Sequence, residues 1–95
     1  MTMTTNLPLT DEMETMFLCA VRYAIGRRTY ITGVVTRYLA PLCIKLSTRT
    51  LLLMKNDIED AAKTPGGLGM DVDERYWMHF LNDIRFELSE RNVDA

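Results

Sequence analysis

Three breaks in this sequence decide what it can fold into: Gly26, Pro41 and the run Lys63-Thr64-Pro65-Gly66-Gly67. The last cannot continue a helix and reads as a loop, and the other two stop or bend whatever precedes them. Each of the four intervals they leave has apolar residues at three- and four-residue spacing, the signature of an amphipathic helix. In the first, Thr10 is an N-cap and Asp11 and Glu12 suit a helix start. Met13, Met16, Phe17, Ala20, Val21 and Ala24 then form its stripe, predicting a helix over 11–25. In the second, Thr29 caps a stripe of Ile31, Val34, Val35, Tyr38, Leu39 and Leu42 that ends or kinks near 38–39 ahead of Pro41. Gly33 and the β-branched residues weaken that helix, and Tyr30–Val35 has a strand as its alternative.

Ser47 caps the third interval, where Leu51, Met54, Ile58 and Ala61 predict a helix over 48–62. Asp71 or Asp73 opens the fourth, whose stripe of Trp77, Phe80, Leu81, Ile84 and Leu88 is the most regular in the chain. Its outer residues Arg75, Asp83, Arg85, Glu87, Glu90 and Arg91 read as a solvated face. The expected fold is all-α, a compact bundle of about four helices, with residues 1–9 a flexible leader, 10–91 one helical domain and 92–95 a frayed tail. At 95 residues and 47% hydrophobic, the chain has enough apolar material for one modest core. Self-association would help so small a domain, and a homo-oligomer is expected.

Chemistry that needs metals or nucleophiles finds little here. His79 is the one histidine, and the residue three before it is Tyr76, so neither a zinc set nor a di-iron motif is present. Cys19 and Cys43 lie in apolar stretches and are expected to be buried and free. Gly66-Gly67-Leu68-Gly69 follows a helix and is too short for a phosphate-binding loop. No catalytic residue, metal or cofactor is expected, and a non-enzymatic protein is the reading. Met1–Leu9 lacks the pattern of a signal peptide, and the apolar runs are too short to span a bilayer, so no membrane association and a cytoplasmic location are expected.

The formal charge is −2, but its distribution is uneven. Arg22, Arg27, Arg28, Arg37, Lys45 and Arg49 fall in a span without a single acid, whereas residues 50–95 carry ten acids against five bases. Either the two halves neutralise each other on folding or across copies, or the basic span meets an anionic partner. Within it, Arg22-Tyr23-Ala24-Ile25-Gly26-Arg27-Arg28-Thr29-Tyr30 places three guanidiniums and two phenols around an inter-helix turn. The N-terminus of the second helix offers unpaired N–H groups there, and arginine suits bidentate contacts with phosphate or carboxylate. Arg22, Tyr23, Arg27, Arg28, Thr29, Tyr30 and Arg37 are the candidate anion- or partner-binding residues. The alternative is that these arginines close acidic surfaces of the same fold, such as the edge at Asp57, Glu59 and Asp60.

The pattern Cys19-x-x-Arg22-Tyr23-Ala24-x-Gly26-Arg27-x-Thr29-Tyr30, with Val35, Leu46-Ser47, Thr50-Leu51, Met54 and Asp57-Ile58 following, resembles a family of small bacteriophage and prophage proteins. The resemblance covers most of residues 19–58. It implies a protein acting in an infected bacterial cell, where small phage proteins without catalytic residues often inhibit host antiviral defence. Anti-CRISPR-like binding of a defence complex and sequestration of a signalling nucleotide are the two forms this implies. A nucleic-acid-binding accessory of phage replication or regulation is one alternative, and a self-assembling structural protein another. Ile31, Val34, Val35 and Leu39 in the second helix argue against major-groove reading by a helix-turn-helix.

Overall fold

The capping chemistry sets the helix boundaries. A computed structural model describes residues 9–26 and 29–93, and in it Thr10 Oγ1 accepts the Met13 N–H at 3.2 Å and Ser47 Oγ the Thr50 N–H, also at 3.2 Å. The helices are α1 (Asp11–Ala24), α2 (Thr29–Leu39), α3 (Thr48–Ala62) and α4 (Asp71–Glu90), with a 3-10 turn at Ala40–Leu42 where Pro41 ends α2. No strand occurs among the described residues, so the alternative at Tyr30–Val35 falls away. Asp71 is the first residue of α4, and Asp73 serves its start by accepting the Met70 N–H at 3.0 Å. At its far end Asn92 takes a left-handed φ of 60°, and N–H groups of Asn92 and Val93 return to Ser89 and Leu88. This Schellman closure places Val93 against the core rather than in a frayed tail.

All five stripe residues of α4 are buried, together with Leu51, Met54 and Ile58 from α3, and Val21 and Ala24 from α1. Burying each large apolar side chain contributes about 1.5–3 kcal/mol, so α4 is the element on which the bundle is assembled. It packs against α2 and α3, while α1 lies over α2 and α3.

Two stripes sit differently from their sequence reading. In α1, Met13 and Met16 are exposed, the latter at 67%. Glu14 faces α3, where its Oε1 accepts from both the N–H and the Oγ of Ser47 at 3.1 and 2.8 Å. At about 100° per residue, an inward Glu14 turns Met16 to the far side of the helix. The same rotation exposes Cys19, correcting the expectation that it is buried; Cys43 is buried as expected.

In α2, Val34 and Tyr38 are exposed, and the buried residues are Thr32, Gly33, Thr36 and Leu39. Small residues are needed on that side because α4 presents Tyr76, whose ring would lie 3.6 Å from a Cβ at position 33. Thr36 can be buried since its hydroxyl donates to the Thr32 carbonyl at 2.8 Å.

Arg91 is not part of a solvated face. Its Nε pairs with Glu87 at 2.9 Å, Nη1 donates to Thr48 Oγ1 at 3.1 Å, and Nη2 donates to the carbonyls of Cys43 and Ile44 at 3.2 Å. One guanidinium thus joins the end of α4, the start of α3 and the connector between α2 and α3.

Candidate functional site

The turn between α1 and α2 begins where Ile25 closes α1 with its N–H on the Val21 carbonyl at 3.1 Å. Gly26 follows at φ 78°, a conformation that favours glycine, and a Cβ there would lie 3.4 Å from the Gly67 carbonyl oxygen. Gly26 is therefore seated on the glycine-rich loop between α3 and α4. Arg27 and Arg28 lie outside the described residues, and Thr29 and Tyr30 enter here only as the first two residues of α2.

Helix starts in this fold are treated unequally. The first turns of α1 and α4 each carry three acids, Asp11, Glu12 and Glu14 in one and Asp71, Asp73 and Glu74 in the other. The start of α3 receives Glu14 from α1. The first turn of α2 contains no acid and is preceded in sequence by two arginines. Carboxylates complement the positive end of a helix and arginines oppose it.

Arg22 projects from α1 and donates through Nε to Asp57 Oδ2 at 2.6 Å, tying α1 to α3. For this arginine the structure shows the closing of an acidic edge. The rest of that edge is satisfied from its own half of the chain, Glu59 by Lys55 and Arg85 at 3.0 and 2.7 Å and Asp60 by Lys63 at 3.3 Å. Tyr23 is exposed in the last turn of α1. Arg37 is exposed near the opposite end of α2, where its Nε donates to the Gly33 carbonyl at 3.1 Å. Eight residues of helix rise, about 12 Å, separate it from the start of α2, so Arg37 does not join the turn.

Folding also leaves the charge asymmetry largely in place. Of the five ion pairs among the described residues, four join partners that both lie within residues 55–91, and one, Arg22 with Asp57, crosses between the halves. Arg37, Lys45 and Arg49 are exposed and make no ion pair among the described residues.

Sequence reading did not foresee the groove between α1 and α3, about 620 Å³, in which Arg22 and Arg49 meet Asp11, Glu14 and Thr15 over a floor of Leu18 and Leu53. Its two walls are distant in sequence, and no local pattern pairs them. The Glu14 carboxyl at its edge is raised by burial but lowered more by hydrogen bonds from Thr50 and Ser47, with a net shift below its ordinary value. Hydrogen bonds from Arg85 and then Lys55 lower Glu59 similarly. Burial, followed by the nearby charges of Asp83 and Glu87, pushes the Cys43 thiol up to about 12.

His79 is exposed on α4, and the described residues contain no group of three or more His, Cys, Asp or Glu placed to hold a metal ion. Among them no helix is long and apolar enough to cross a membrane. Fold and surface together define a small four-helix protein in which Arg37, Lys45 and Arg49 of the basic span make no ion pair among the described residues. Comparison with protein-family models, with curated proteins and with solved structures finds no match to the chain.

Proposed function

We propose that this chain is a non-enzymatic binding protein whose basic inter-helix turn, Arg22 to Tyr30, engages the phosphate or carboxylate groups of an anionic partner, and that it works as a homo-oligomer. The observation that carries this reading is the charge left over after folding. Of the four acids of the second half that form ion pairs among the described residues, three are held by bases of that same half, and the first turn of α2, behind Arg27 and Arg28 in sequence, contains no acid. An anion placed there satisfies both the helix terminus and the adjacent arginines. The resemblance of residues 19–58 to bacteriophage and prophage proteins supports setting this binding in the cytoplasm of an infected bacterium. There the protein inhibits an antiviral defence system by engaging a defence complex or its signalling nucleotide.

Native mass spectrometry of the protein purified gently from a bacterial host tests this directly. A retained nucleotide-sized mass, or a retained host complex, that disappears in an Arg27→Ala, Arg28→Ala variant is the expected result. A folded variant that matches the wild-type chain in retained partners and in protecting phage from host defence overturns the reading.

A further inference from the structure

Among the described residues, three buried side-chain atoms have no hydrogen-bond partner: Thr32 Oγ1, Asp73 Oδ1 and Trp77 Nε1. Thr32 and Trp77 are 0% exposed and Asp73 1%. Buried polar groups are nearly always paired, because one left alone loses its bonds to water and regains nothing.

The three atoms belong to one place in the fold. Asp73 and Trp77 are four residues apart on α4 and so stand one above the other on the same face. Helical side chains lean towards the N-terminus, which brings the Trp77 indole back over Asp73. Thr32 reaches them across the seam between α2 and α4. Gly33 lies against the Tyr76 ring, 3.6 Å from its Cβ position, and further along Ala40 and Pro41 meet Asp83 and Phe86 around one pocket. The two helices therefore run side by side in the same direction, with Thr32 level with the span from Asp73 to Trp77. From the contact of Gly33 with Tyr76, one step back along α2 and one step forward along α4, about 100° each, turn to the same side of the seam. Asp73, three residues before Tyr76, is turned about 60° the same way. That side is the core, since all three residues are buried there.

We infer that Thr32, Asp73 and Trp77 form one internal hydration site, in which a single buried water ties the start of α2 to the start of α4. An indole nitrogen only donates, a carboxylate oxygen only accepts, and a hydroxyl does either. A cation would face the indole N–H and an anion the carboxylate, so the occupant is a neutral molecule that accepts and donates at once. Water accepts from Trp77, donates to Asp73 and completes its set on the Thr32 hydroxyl; about three bonds is usual for a buried water. The neighbouring polar groups are already committed: Asp73 Oδ2 accepts the Met70 N–H at 3.0 Å, and the Thr36 hydroxyl donates to the Thr32 carbonyl at 2.8 Å. The site stands whether or not the turn before α2 binds an anion.

Trp77 is the one tryptophan of the chain, so its indole N–H gives a single proton signal. In solution that proton should show cross-relaxation with water of the sign produced by a molecule bound for longer than the protein tumbles. A high-resolution crystal structure should hold a water within about 2.7–3.2 Å of all three atoms. Thr32→Val keeps the shape and removes the hydroxyl, and urea unfolding followed by circular dichroism reads its effect. If the hydroxyl is bonded to the water, the folding equilibrium constant should fall by about threefold to tenfold, whereas a hydroxyl with no partner is better replaced by valine and the constant rises. A constant that rises or stays unchanged overturns the inference. So does an indole proton without contact to bound water, or a crystal in which the three atoms bond directly to one another or enclose a dry core.

Discussion

Replacing Arg91 by methionine keeps the aliphatic stem and removes the guanidinium that joins three elements. Four contacts vanish at once, one to the Glu87 carboxylate, one to the Thr48 hydroxyl and two to the carbonyls of Cys43 and Ile44. Charge-assisted bonds contribute about 1.5–3 kcal/mol each when buried and less than about 1 kcal/mol when exposed. Arg91 and Glu87 are 23% and 17% exposed, which places these contacts between the limits. The two carbonyls regain some water after the substitution, whereas Glu87 is left as an unpaired, mostly buried carboxylate. The expected loss is therefore about 2–4 kcal/mol out of a total near 5–14 kcal/mol for a chain of this length. In a domain this small that lowers the thermal midpoint by about 10–25 °C. Arg91→Lys keeps the charge but reaches in one direction only, and should fall between. Urea unfolding followed by circular dichroism measures both variants. If Arg91→Met lies within about 0.5 kcal/mol of the parent, the guanidinium is not a clamp and the connector holds itself in place by packing alone.

Glu14 and Glu59 both titrate below their ordinary 4.5, so their contribution to stability is present above that pH and disappears as pH falls through the lowered folded values. Urea midpoints measured from neutral pH into the acid range should therefore drop below pH 4.5, and less steeply in the Glu14→Gln, Glu59→Gln variant; parallel curves would contradict the assignment. Brief alkylation with iodoacetamide at mildly alkaline pH should add one group, at exposed Cys19, and a second only in denaturant, since the buried Cys43 thiol is raised to about 12. Peptide mapping that finds Cys43 modified in the folded protein would refute this. Among the glycines, Gly33→Ala should raise stability by about 0.5–1 kcal/mol, because its Cβ meets Tyr76 and Arg37 at ordinary contact distance. Gly67→Ala should lower it by more, since a Cβ there would overlap the Ala61 carbonyl oxygen; urea melts in which the two variants move alike would refute the contrast.

Features carried by neighbouring residues are legible in the sequence. Thr10 and Ser47 cap the helices assigned to them, Gly26 and Pro41 end theirs, and the Trp77 to Leu88 stripe is buried throughout. What escaped was rotation about the helix axis. The apolar stripes of α1 and α2 are broad, so period alone leaves their inward direction open by a quarter turn or more, roughly 100° per residue. In α1 Glu14 decides it by reaching Ser47, 33 residues away, and in α2 the bulk of Tyr76 decides it by admitting only small neighbours. Arg91 escaped for the same reason, its contact with the Cys43 carbonyl spanning 48 residues. Within the candidate site, the closing of the Asp57 edge by an arginine of the basic span was one of the two sequence readings and holds for Arg22, but the groove that Arg22 lines with Arg49 was not legible there.

Where the unpaired cations lie narrows the class of partner. A protein that holds duplex nucleic acid needs several lysines or arginines along one face, matched to successive phosphates. Here Arg49 lies in the groove between α1 and α3, where Arg22 is already paired with Asp57, whereas Arg37 stands beside Tyr76 on the seam between α2 and α4. That division suits a compact anion held at one point better than a long one tracked across a surface. Affinity for a compact anion should then change little between low and moderate salt, while tracking of a duplex would weaken steeply, by about one power of the salt concentration for each phosphate contacted.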